Sequence, residues 1–192
     1  MKINFLTLLA ALAFCVTLNS CGTKSETTDS KEAAEDANEE NFEDTKAEDD
    51  TEFAVAAADA GMLEVKLGEL AQTNASSAEV KSFAKMMVDD HSKANDELMA
   101  LAQQKNIVLP GSLSDKSQKK YEDLAKKSGK DFDDAYTEFM VKDHKDVIDS
   151  FKKEAEKGAI ADLKTWAAGK VSALEHHLEM AKQTEEAVDK AK

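Results

Sequence analysis

The sequence has no arginine, one proline, seven glycines and two cysteines. Each scarcity excludes something. Without Arg there is no planar fork to clamp a phosphate or carboxylate with two bonds. The basic residues are all Lys, 25 against 39 acids, for a net charge of -14 at pH 7. So acidic a chain cannot neutralise a run of phosphates, and nucleic acid is not expected as a partner. Few glycines leave little room for a phosphate-cradling loop. The length, 192 residues, allows one ordinary domain plus extras.

What is present begins with an address. Lys2 is followed by an apolar run from Ile3 to Leu18, interrupted by Asn4, Thr7 and Thr17. The run is too short, and too soon followed by charge, to be a good membrane span. Residues 1–20 read as a signal peptide. It ends in Leu18-Asn19-Ser20-Cys21-Gly22, which resembles a bacterial lipobox with Cys21 as the lipidated residue. The alternative is a plain secretory leader that happens to contain Cys. With lipidation, Cys15 departs in the leader and Cys21 carries acyl chains. That excludes thiol chemistry and Cys-ligated metal. The expected partner is then a membrane, reached through the lipid anchor. Gly22 is not the Asp that commonly retains lipoproteins at the inner membrane. The expected location is therefore the cell envelope, at the outer membrane.

From Gly22 to Asp50 there are 12 acids and 3 Lys, and Phe42 is the one large apolar residue. Such a segment has little apolar surface to offset ordering entropy. Residues 21–50 are thus expected to be a lipidated Cys and a disordered acidic tether. Residues 51–192 are expected to be the folded domain.

From Thr51 onward the apolar period is helical. A first helix is expected over about Thr51–Thr73, then a break at Asn74-Ala75. Ser76-Ser77-Ala78-Glu79 reads as a capping box for a second helix, to about Lys105. Asn106 to Ser114, with Pro110 and Gly111, is a break. A short polar helix fits Asp115–Lys127. Asp131 is expected to cap the third long helix and Gly158 to stop it. The fourth spans about Ala159–Ala187. This is an all-α four-helix bundle. The 25 residues from Asn106 to Lys130 are enough to travel back along it. Helices two and three would then run parallel, the ferritin-like topology with a long crossover between them. An up-down-up-down bundle is the alternative.

An internal repeat bears on function. Lys85-Met86-Met87-Val88-Asp89-Asp90-His91 returns 53 residues later as Glu138-Phe139-Met140-Val141-Lys142-Asp143-His144. In parallel helices His91 and His144 lie at one height. Folding back brings Glu64, on the edge of its apolar stripe, and His177 close to that level. A carboxylate and three imidazoles suit a transition metal such as Zn, Cu or Fe. Asp90 and Asp143 each precede a His by one residue. They point about 100° away from it and are expected to brace an imidazole on a neighbouring helix. Met87, Met140 and Met180 lie a turn from their histidines, and core filling explains them more simply than ligation. His176 reads as a solvated flank. A polar cluster with no metal, held by Glu64, Asp90 and Asp143, fits the same residues.

Di-iron chemistry wants a Glu three residues before a His on two helices, and Val88, Val141 and Leu174 stand there instead. No Ser accompanies a His–carboxylate pair as a hydrolase triad needs. The Lys-rich connector (Lys116, Lys119, Lys120, Lys126, Lys127 and Lys130) reads as a solvated face.

Phe53 to Ala71, Val80 to His91, Tyr136 to His144 and His177-Leu178 together resemble the bacterial family called domain of unknown function 4142. Its members are labelled outer membrane proteins and grouped with ferritin-like folds. The resemblance runs from Thr51 to about Val188. It implies a ferritin-like bundle and no established activity. The residues that match the family's recurring positions are Glu64, Asp90, His91, His144 and His177. The expected function is a lipid-anchored envelope module binding a transition metal at Glu64, His91, His144 and His177. A metal-dependent redox enzyme is one alternative, and a metal-free structural or partner-binding bundle another. No catalytic residue is assigned, and an enzyme is the less favoured reading.

Overall fold

The computed structural model describes residues 29–43 and 45–191. The leader (1–20) and Cys21 lie outside the described residues. Within them the fold is all-α, with α1 (Ser30–Phe42), α2 (Glu48–Asn74), α3 (Ala78–Lys105), α4 (Asp115–Ala125), α5 (Gly129–Lys157) and α6 (Ala161–Lys190). Among the described residues no helix is long and apolar enough to cross a membrane.

The helix ends follow from local chemistry. The Ser77 hydroxyl, not Ser76, caps α3 by accepting the Val80 N–H. The expected capping box is therefore shifted by one residue, because Ser76 is drawn to Asp133 on α5. Asn106 ends α3 in the left-handed conformation at φ 56°, which a short polar side chain tolerates. Asp131 is not the cap of α5. Gly129, at φ +59°, already opens that helix, and Asp131 lies in the first turn where its charge suits the helix dipole. Gly158 does end α5, with its N–H on the Glu154 carbonyl.

Three buried aspartates stitch the long helices together. Asp133 on α5 accepts the backbone N–H groups of Ser76 and Ser77 at the start of α3. Asp59 on α2 accepts the N–H and hydroxyl of Ser114 and the hydroxyl of Ser117, at the start of α4. Asp50 on α2 accepts the N–H groups of Ala159 and Ile160, at the start of α6. Each carboxylate satisfies otherwise orphaned donors at the positive end of another helix. These bonds fix how far each helix slides along its neighbours, and so the height of every side chain in the middle.

The α2–α3 and α5–α6 pairs pack most extensively, and the pairs meet through α3 with α6 and α2 with α5. Gly68 lets α2 and α3 approach, since a Cβ there would stand 2.6 Å from Val88 Cγ2 and 2.9 Å from the Ala84 carbonyl oxygen. On α3 and α5, Phe83 meets Tyr136 and His91 meets His144 at ring-centroid distances of 6.1 and 5.7 Å. The sequence repeat is thus a repeat in space.

Part of the acidic segment departs from its expected disorder. Residues 30–42 form α1, and α2 begins already at Glu48. Polar bonds to backbone hold α1, together with apolar packing of Ala34 and Phe42. The Asn38 amide donates to the Val108 carbonyl at 2.8 Å and accepts the Val108 N–H at 2.7 Å. Ser30 Oγ accepts the Gly111 and Ser112 N–H groups, and Asp29 accepts that of Asp115. Ala34 is buried beneath. The segment clasps the connector between α3 and α4, whose bare backbone groups need partners.

Candidate metal centre

Four side chains from four helices meet at mid-height: Glu64 (α2), His91 (α3), His144 (α5) and His177 (α6). All are buried. The ring centroids of the three histidines lie 5.1 to 5.7 Å apart.

Each ring spends one nitrogen on a protein acceptor. His91 Nδ1 lies 2.8 Å from Glu64 Oε2. His144 Nδ1 donates to the Met140 carbonyl at 3.0 Å, with Glu64 Oε1 at 3.4 Å. His177 Nε2 donates to Asp90 Oδ2 at 2.9 Å. A carbonyl or carboxylate only accepts, so these contacts fix which nitrogen carries hydrogen. The other nitrogens, His91 Nε2, His144 Nε2 and His177 Nδ1, are buried and have no hydrogen-bond partner. One ligand atom from each ring lies within 4.8 Å of the others.

The arrangement has the parts of a metal site. Metal-bound imidazoles characteristically donate their second N–H to a carboxylate or carbonyl. All three do so here. Around tetrahedral zinc the nitrogens would stand roughly 3.4 Å apart, so the rings need close in by only about an ångström. The cluster is capable of coordinating a metal ion.

The electrostatics agree. Burial pushes the Glu64 carboxyl up, but His91, then His144, more than offset this and hold it down at about 2. Burial lowers His91, yet the Glu64 charge and hydrogen bond raise it overall. Burial keeps His144 and His177 below the usual imidazole range. Without metal, the Glu64 charge favours the protonated form of His91, and burial favours the neutral forms of His144 and His177. A bound cation would compete with protons for the ring nitrogens.

The site residues expected from the sequence take up different positions. His91, His144 and His177 converge. Glu64 stands behind His91, outside the converging set of nitrogens. Asp90 braces His177 across the α3–α6 contact, as its register implies. Asp143 does not reach an imidazole. Burial, then the neighbouring Glu64 charge, raises its carboxyl to about 7. Met87 and Met140 are fully buried among core side chains, with Met180 partly so, and His176 is exposed. In the Lys-rich connector, Lys119 and Lys126 pair with Asp123 and Lys130 with Asp134.

A cavity of about 400 Å³ reaches the cluster from one side. Glu64, Asp90, His91 and His177 are among its lining residues, and Phe53, Phe151 and Trp166 form an apolar part of the lining. The sequence reading did not anticipate it. The signal was the run of small residues Ala57, Ala60 and Gly61 on the inward stripe of α2, opposite Ala94 on α3.

Neither a curated protein nor a solved structure matches the chain. The model of a domain of unknown function, DUF4142, matches residues 32–184, taking in most of α1 and every residue of the cluster. By its sequence, the chain belongs to the DUF4142 family.

Proposed function

We propose that this protein is a metal-binding module of the cell envelope, anchored by lipid at Cys21, that holds one transition-metal ion between His91, His144 and His177. One observation carries the metal reading: three buried histidines bring one ring nitrogen each within 4.8 Å of the others, and each ring keeps one buried nitrogen without a hydrogen-bond partner while its opposite nitrogen is held by an acceptor. A purely structural cluster would pair those nitrogens with donors, since buried polar atoms are rarely left bare. Imidazoles suit Zn, Cu or Fe. Glu64 and Asp90 orient their rings and make them better ligands. A metal held by three imidazoles keeps an open position at which it can polarise an oxygen donor.

In this reading the long helices form a ferritin-like four-helix bundle, and the stretch containing α4 is its crossover. The common direction of α3 and α5 supports that topology. The envelope location rests on the lipobox-like Leu18-Asn19-Ser20-Cys21 alone.

Elemental analysis of the chain, purified without a metal-binding tag, tests the site. We expect about one transition-metal ion per chain, or stoichiometric uptake of added Zn or Cu, lost in a His91/His144/His177 triple alanine variant. No uptake would leave Glu64 and the histidines as a polar core cluster. Separately, Cys21→Ser is expected to release the protein into the soluble fraction. Continued membrane retention would refute the anchor.

A further inference from the structure

The cavity beside the histidines has a use that metal binding alone does not explain. A structural metal site is normally closed around its ion. Here two of the three histidines, His91 and His177, also form the wall of an open space. The volume, about 400 Å³, is in the range of small-molecule sites. A cavity of roughly 150 Å³ suffices for benzene, so one or two fused rings fit.

The lining says what kind of molecule fits. Phe53, Phe151 and Trp166 make an aromatic wall. Phe53 stands edge-on to Phe151 at 4.9 Å and to Trp166 at 6.4 Å, and Phe151 is tilted against Trp166 at 5.4 Å. Aromatic rings are good partners for such edges and faces. Ala57 and Ala60 on α2 and Ala94 on α3 add small side chains to the lining and leave the space beside the rings open. The polar lining includes Glu64, Asp90 and Asp146 together with Lys93, Asn95 and Ser150, while the unpartnered histidine nitrogens are closed off from solvent. Of the two lining lysines, Lys170 is already paired with Glu97, which leaves Lys93 against three lining carboxylates. Three lining carboxylates disfavour an anionic guest such as a fatty or aryl acid. A neutral hydroxyl can donate to Asp90 or Asp146 and accept from Asn95 or Ser150.

We propose that the cavity is a binding site for a small neutral aromatic alcohol of the phenol class. The ring lies against Phe53, Phe151 and Trp166, and the hydroxyl is turned toward the Asp90 carboxylate, beside His91 and His177. The site rests on the cavity and its lining, so it holds with or without bound metal.

The test uses 2-naphthol as probe and 2-naphthoate as its anionic counterpart, titrated into the full chain after chelator treatment. Trp166 is the chain's one tryptophan, so its emission and its single indole N–H resonance report on this wall alone. We expect saturable 1:1 binding of 2-naphthol that perturbs both signals. Binding of 2-naphthoate should be at least tenfold weaker. Ala60→Leu and Ala94→Leu each fill the cavity from a different helix, and each should weaken 2-naphthol binding at least tenfold. Should one of them misfold, the other and the indole shift still decide. Absence of saturable binding would overturn the proposal. So would binding undiminished in the filled variants, or naphthoate binding as tight as naphthol. None of these results bears on metal uptake by the triple-histidine comparison, so the two readings fail separately.

Discussion

The histidine layer separates two parts of the core that are built differently. On one side Phe83, Met87, Phe132, Tyr136 and Met140 are closed off from solvent, and α2 contributes Leu63 and Leu67. On the other, Phe53, Phe151, Leu163 and Leu174 are buried, yet a cavity runs alongside them. Both parts are served by the same repeat, Phe83 matching Tyr136 on one side and Leu98 matching Phe151 on the other. The difference lies in α2 and α3, which line the open part not only with Phe53 and Leu98 but with the small residues Ala57, Ala60, Gly61 and Ala94. Dense packing holds the histidines at one height. Small side chains give them access.

The sharpest way to break this comparison is to cut into each part in turn. Phe83→Ala or Tyr136→Ala removes a fully buried ring from the closed part and should cost about 3–5 kcal/mol in chemical denaturation. Ala60→Leu adds a larger side chain where space exists, and should change stability by less than about 1 kcal/mol in either direction. Equal penalties would mean that the open part is as tightly packed as the closed one.

The layer between them should respond to metal. A ligand bound only by the folded chain at a hundred times its dissociation constant stabilises it by about 2.7 kcal/mol. Added Zn or Cu should raise the thermal midpoint accordingly, and the rise should vanish in the triple-histidine variant. Without metal, His91→Ala and His144→Ala should be non-additive, because both rings contact Glu64. Additive effects would mean that the two rings do not share that carboxylate.

Much of this was legible in advance, and the reasons are physical. The long helices follow from a sustained apolar period, and their ends from Asn106, Gly158 and the Ser76-Ser77 pair. The repeat fixed the common height of His91 and His144, and the position of Asp90 one residue before His91 turned it toward a neighbouring helix. Contacts between residues far apart in sequence were not legible. Asp133 captures Ser76 and so moves the cap of α3 by one residue. Asp143 has the same place in the repeat as Asp90, but its surroundings bury it near Glu64, close enough to His91 to feel its charge yet without a hydrogen bond to any ring. The α1 segment has the composition of a disordered tether, yet Asn38 and Ser30 find bare backbone groups on a connector some seventy residues on. No local pattern announces that match.

The α1 clasp predicts a smaller, localised effect. Asn38→Ala deletes both bonds to Val108 and should cost about 1–2 kcal/mol. Hydrogen exchange should accelerate in the connector around residues 107–112, with the histidine-bearing helices little changed. Uniform acceleration would mean that α1 is part of the core and not a clasp upon it.

The smallest effect expected concerns a charge at the end of the open part. The Glu154 side chain is nearly buried, and its Oε1 has no hydrogen-bond partner. Burial, then the nearby Asp50 charge, raises its carboxyl to about 7 from an ordinary 4.5. Between those values the folded chain keeps a proton that the unfolded chain has released. Stability contributed by this group is therefore present below about pH 4.5 and falls as pH climbs toward 7. Glu154→Gln keeps the shape and removes the charge. It should stabilise the protein more at pH 8 than at pH 4.5, read as the difference between two denaturation series. Phe83→Ala, in the closed part and far from any titrating carboxyl of that kind, should cost nearly the same at both pH values. If Glu154→Gln showed no such difference, the Glu154 charge would have to be well solvated, and the open part would admit water along its whole length.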